Sequence, residues 1–156
     1  MKDIFIDNNI ASRFANPMDK EYKKLLEWLQ TYNENTPDDN AFLVVSNKLI
    51  AEYIRSNYNA VSSTSIPLII NILTQQGRLN HITNQAIKDF HKTYFTPKVK
   101  RKLKSNSEDR EHIPVVLLSE RKMALSIDDK FITDLNNFAG FEVTTAKRPE
   151  ELDYKG

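Results

Sequence analysis

The chain contains no cysteine, which excludes disulfides, thiol nucleophiles and thiolate zinc sites together. Histidine is nearly as scarce. His81, His91 and His112 stand alone, without the spacing of an HExxH-type motif, so a histidine-rich metal centre is not expected. No apolar run approaches the roughly 18 residues of a membrane-spanning helix, and the first residues lack an apolar core followed by a cleavage site. These features point to a soluble cytoplasmic protein. Glycine is rare as well, with three residues against six prolines, yet an apolar fraction of 40% is that of an ordinary folded chain. Neither charge sign dominates: the net charge is +1, so only local patches bear on a polyanionic partner. With 156 residues, no internal repeat and no dividing linker, the chain reads as a single domain over residues 1–156, long enough to bury a core.

What is present begins at the first residues. Ile4-Phe5-Ile6 runs straight into Asp7-Asn8-Asn9, an apolar strand with no polar face, as in a parallel sheet covered on both sides. Asn16-Pro17-Met18-Asp19 predicts a helix start, and Tyr22, Leu25, Leu26 and Leu29 give that helix an inward face to about Thr31. Phe42 to Val45 is a second buried strand, with Ser46 positioned to cap a helix whose apolar stripe is Leu49, Ile50, Tyr53 and Ile54. Ser62 to Ser65 and Pro67 open a helix over Ile66 to Leu73 that is apolar almost all round, hence deeply buried or half of an oligomer contact. Gly77 ends it. Leu79 to Thr83 predicts a short strand, and Ala86, Ile87, Phe90 and Tyr94 the inward side of the next helix, ending before Pro97. Pro114 fits only near a helix start. Met123 to Ile127 and Phe141 to Thr145 complete the strands, the last at an edge, and Pro149 opens a terminal turn. The alternation predicts an α/β fold, with about five mainly parallel strands between helical layers.

Four acids stand out by placement. Asp7 and Asp128 follow directly on predicted strands, where open parallel sheets bind ligands. Asp109 lies at or before a helix start, and Glu52 borders the apolar stripe of the helix after the second strand. Taken alone, Glu52 reads as a surface partner of Lys48, and the acids around Asp109 as helix caps. Taken together, the four converge if their strands are neighbours. Carboxylates so gathered repel one another and resist desolvation. A hard divalent cation relieves that, and oxygen-only ligands select Mg²⁺ or Mn²⁺.

In this order and spacing the residues resemble the PIN domain, and within it the VapC-type toxin endoribonucleases. The likeness spans nearly the whole chain. It rests on Ile4-Phe5-Ile6-Asp7-Asn8-Asn9, Leu49-Ile50-Ala51-Glu52, Asp109 ahead of the apolar Ile113 to Leu118, Ser126-Ile127-Asp128-Asp129-Lys130-Phe131, and the closing Pro149-Glu150-Glu151-Leu152. The resemblance implies a PIN-like α/β/α fold and an RNase with Asp7, Glu52, Asp109 and Asp128 as catalytic acids. Asp7, Asp109 and Asp128 would hold Mg²⁺ or Mn²⁺, and Asn9 or Ser126 would steady a ligand or a metal-bound water from behind. It also implies an antitoxin protein as partner and a homodimer formed through the Ile66 to Leu73 helix. The third motif departs from the family in its charged neighbours, so Glu108 and Glu111 are alternatives to Asp109.

Lys98, Lys100, Arg101, Lys102 and Lys104 crowd into seven residues, either a solvated face or loop, or a contact for a phosphate backbone. They support a second expectation, a catalytically silent PIN-like module that holds RNA. Phosphatase or phosphoacceptor readings of the same α/β pattern fit less well. The third position of the first motif is Asn9 where haloacid-type phosphatases need Asp, and no phosphoacceptor acid follows the strand Phe42–Val45.

Overall fold

The computed structural model describes residues 1–156. Five strands pair in parallel as one sheet: β1 (Lys2–Ile6), β2 (Ala41–Val45), β3 (Leu79–His81), β4 (Met123–Leu125) and β5 (Thr144–Ala146), in the order β3-β2-β1-β4-β5. Ile4, Phe5, Ile6, Leu43, Val44 and Val45 are fully buried, as the absence of a polar face in both runs requires. From the central β1 the chain winds outward through β2 and β3, then returns to add β4 and β5 on the other side. Right-handed crossovers therefore place the helices of the two halves on opposite faces. One layer holds α1 (Asn8–Ala11), α2 (Lys20–Gln30), α3 (Asn47–Asn57) and α4 (Ile66–Gln75). The other holds α5 (Asn84–Tyr94), α6 (Pro97–Lys102), α7 (Ser107–Arg110), α8 (Ile113–Leu117) and α9 (Asp129–Asn136). The result is a three-layer α/β/α fold. No helix is long and apolar enough to cross a membrane.

Local chemistry sets the element ends. The Ser46 hydroxyl accepts from the Leu49 amide at 3.1 Å and starts α3. Gly77 takes a left-handed φ of +67° to close α4, where a side chain would be strained. Two buried polar groups are fully used in packing. Asp3 accepts from the Glu120 and Arg121 amides and from the Asn80 side chain, toward the amino end of the sheet. The Arg78 guanidinium donates to the Leu29 and Ala41 carbonyls and to Gln76. Burial lowers its pKa.

Several predicted boundaries shift. α2 starts at Lys20 rather than at Pro17, because Asp19 caps it, accepting from the Glu21 amide at 2.8 Å. A short helix, α1, follows β1 directly, capped by Asp7 itself. β5 begins at Thr144 rather than Phe141, since Phe141 joins an aromatic cluster with Phe90, Tyr94 and Phe138, at ring separations of 5.6, 5.2 and 5.8 Å. Tyr94 edges that cluster but remains 42% exposed, and Ile54, expected inward, is 51% exposed. The basic block is helical. Thr96 caps α6, its hydroxyl accepting from Val99 at 3.2 Å, while Val99 and Leu103 pack against the core.

Candidate active site

Strand register brings the first pair of site residues together. Ile6 lies level with Leu125, so the next residues, Asp7 and Ser126, meet across β1 and β4, and the Ser126 hydroxyl donates to Asp7 Oδ2 at 2.7 Å. Asn9, the second residue of α1, points its side-chain amide nitrogen back to Asp7 Oδ2 at 3.3 Å and to Ser126 Oγ at 3.4 Å, and its Oδ1 accepts the Ile127 amide at 3.4 Å. Asp7, Asn9 and Ser126 thus form one clamp across the gap where the winding of the sheet reverses, the place at which open parallel sheets bind ligands.

Asp128 leaves the end of β4 as the cap of α9. Its Oδ1 accepts the Lys130 and Phe131 amides at 3.0 and 3.2 Å, and its own amide donates to Ser126 Oγ at 3.1 Å. Asp109 arrives from the other side on α7, a helix too short to hold itself. Three anchors fix it. The buried Asp134 carboxylate accepts the Lys104 and Ser105 amides, both at 2.8 Å, and the Ser105 hydroxyl. Arg110 donates to the Ser105 and Leu103 carbonyls, and Lys48 reaches the Glu108 carbonyl at 2.8 Å. So held, the Asp109 carboxyl lies close enough to Asp128 and Asp7 for their charges to raise its pKa. Glu111 instead turns to His91 at 3.4 Å, and Glu108 is exposed. Of the three candidates in that motif, Asp109 is the one beside the other acids.

Glu52 is held differently from the expectation. Lys48 is occupied at Glu108, and the partner of Glu52 is His112, whose Nε2 lies 3.0 and 2.9 Å from the two carboxylate oxygens. His112 is 3% exposed, its ring is 5.9 Å from that of Phe5, and its Nδ1 has no protein partner. His112, which stands alone in the sequence, is thus in contact with one of the four acids. A single histidine carries no spacing signal, and only the meeting of α3 with the α7–α8 turn across the sheet edge exposes its role. Tyr53, expected to serve only as packing, donates its hydroxyl to the Ile6 carbonyl, tying α3 to the strand end that presents Asp7.

The electrostatics follow from this crowding. Burial raises the Asp7 pKa; hydrogen bonding from Ser126 and the His112 charge oppose it, while Glu52 adds to it. Burial also raises Asp109, and the charges of Asp128 and Asp7 push it further. Burial pushes Glu52 upward too, but its hydrogen bond and charge contact with His112, with Lys48 and Arg55 behind, hold it below the ordinary range. Asp7, Asp109 and Asp128 form no ion pair with any lysine, arginine or histidine. As the side chains stand, no three of these acids are close enough together to form a ready-made metal site. Half-buried carboxylates without a cationic partner, backed by hydroxyl and amide donors, are a donor set that fits a hard divalent cation.

The cations of the basic block do not join this cluster. Lys98, Lys100, Arg101, Lys102 and Lys104 are exposed, on and just after α6, which neighbours the C-terminal half of α9. No family model, curated protein or solved structure matches the chain.

Proposed function

We propose that this chain is a Mg²⁺- or Mn²⁺-dependent endoribonuclease of PIN type. The observation that carries the reading is the gathering of Asp7, Asp109 and Asp128 at the sheet's switch point with no cationic partner. In this reading those three carboxylates hold the ion. An ion held there would supply Lewis-acid activation of water and charge stabilisation at a phosphodiester. Ser126 and Asn9 fix the direction of Asp7, and His112 fixes that of Glu52 and holds it ionised, its charge acting on Asp7. The preference for RNA draws on the sequence resemblance and on the exposed cations of α6, the helix that precedes α7 in the chain.

The same resemblance supports three finer proposals: a toxin paired with an antitoxin protein, a homodimer through the outward Leu68 and Ile72 of α4, and, with the lack of cysteine, a cytoplasmic location. The alternative is a catalytically silent RNA-binding module, favoured by the unpaired cations of α6. The test is cleavage of a mixed pool of single-stranded and structured RNAs by wild type and Asp7→Asn, with Mg²⁺, Mn²⁺ or chelator. Metal-dependent internal cuts that vanish in the variant support the enzyme. Salt-sensitive RNA binding with no cleavage by either protein supports the silent module.

A further inference from the structure

We infer that the groove between α6 and α9 is a nucleoside subsite for single-stranded RNA, with its base in the groove and its flanking phosphates on Lys98, Lys102 and Lys104. This rests on the ribonuclease reading above and adds to it the part of the substrate that the acids do not touch. The groove encloses about 370 Å³, near the lower end of the roughly 300–1,000 Å³ of small-ligand pockets. That volume is large enough for a base. Val99, Leu103 and Phe138 give it an apolar lining, and Thr133 and Asn137 add a hydroxyl and an amide able to meet a base edge.

Its rim is cationic and uncommitted. Lys98, Lys102 and Lys104 line the groove and none of their side chains forms an ion pair. Asp134, the one acid at the groove, is turned to the Lys104 and Ser105 amides and the Ser105 hydroxyl and pairs with none of the three lysines. The groove and the acids share two stretches of chain. α9 starts at Asp128 and reaches Thr133 and Asn137 about 8–14 Å further along its axis, and the chain leaving α6 runs directly into α7 and Asp109. A single strand cut at the acids would cross this groove within a few nucleotides.

The test is fluorescence anisotropy in the Asp7→Asn background, which prevents cleavage, with labelled oligouridylate, oligoadenylate and an abasic ribose-phosphate chain of equal length. Each phosphate contact on a single strand contributes about 0.7 to the log–log salt slope. Joint Lys98→Ala, Lys102→Ala and Lys104→Ala substitution should therefore lower the slope by about 2 and weaken binding ~100-fold at 0.1 M salt. Asn137→Leu should leave the slope unchanged and remove the preference for base-bearing over abasic chains. Lys98, Lys102, Lys104 and Asn137 are exposed, and circular dichroism verifies that the variants fold. An unchanged slope in the triple variant overturns the inference, as does equal binding of base-bearing and abasic chains by the parent. Displacement of RNA from the parent, but not from the triple variant, by a peptide of alternating Glu and Leu that binds more tightly than any oligonucleotide would assign the groove to an acidic protein instead. Metal-dependent cleavage that survives the triple substitution undiminished removes the subsite and spares the nuclease. Lysine-dependent, base-dependent binding without cleavage by the protein carrying Asp7 removes the nuclease and supports the subsite.

Discussion

Replacing His112 with Phe isolates the least anticipated contact in the site. The substitution keeps a planar ring against Phe5 and removes the hydrogen bond to Glu52. A hydrogen bond to a charged group is worth about 1.5–3 kcal/mol. Glu52 retains 18% side-chain exposure, so water replaces part of the loss, and we expect a cost of about 1–2 kcal/mol at neutral pH. For a chain of this length that lowers the melting temperature by about 2–8 °C. The pH dependence has a definite sign. The folded-state pKa of Glu52 is depressed, so its stabilising contribution is complete above the ordinary glutamate value of 4.5 and is lost as pH falls through the folded value. The gap between wild type and His112→Phe, followed by thermal or urea unfolding, should therefore narrow in acid. His112→Gln, which keeps a donor, should recover part of the stability. Equal melting of wild type and His112→Phe across this range would refute the assignment of His112 as the group that holds Glu52.

Two further outcomes follow from the same geometry. Asp134→Ala strips three donors of their acceptor and should cost about 3 kcal/mol. RNA cleavage should fall further than the lost stability explains, because the segment carrying Asp109 is released; activity measured well below the melting temperature checks this. Asp109→Asn should act in the opposite direction on stability. The folded pKa of Asp109 is raised, so its ionisation destabilises the metal-free fold as pH rises through that value. The variant should melt above metal-free wild type at pH 7 and together with it near pH 3, as calorimetry at the two pH values would read.

Much of this architecture is visible in the residues. β1 and β2 announce themselves as apolar runs without a polar face, and α3 and α5 as periodic stripes; Ser46 caps α3 as expected, whereas Thr83, read as the end of a strand, caps α5 instead and β3 stops at His81. Asp7 and Asp128 could be placed because the end of a parallel strand is a position that sequence reveals. α6 was obscured by its own charge density, although Thr96-Pro97 was a helix-start signal. The start of α2 depended on which of two capping residues prevailed, and Asp19 did so with help from Arg148, 2.8 Å away and distant in sequence. His112 and Asp134 gave no local sign at all. Each acts on a residue 60 or about 30 positions away, and such pairings exist only once the sheet has brought its two helical layers to a common edge.

The most direct measurement is a thermal-shift titration of wild type and Asp7→Asn with Mn²⁺, in the absence of RNA. A site formed by Asp7, Asp109 and Asp128 should stabilise wild type by about 2.7 kcal/mol at a hundredfold excess over the dissociation constant, a rise of about 5–11 °C for a chain of this length. Asp7→Asn should show little or none of it. A wild-type melting temperature indifferent to Mn²⁺, or a rise of equal size in both proteins, would contradict a metal centre built on these carboxylates.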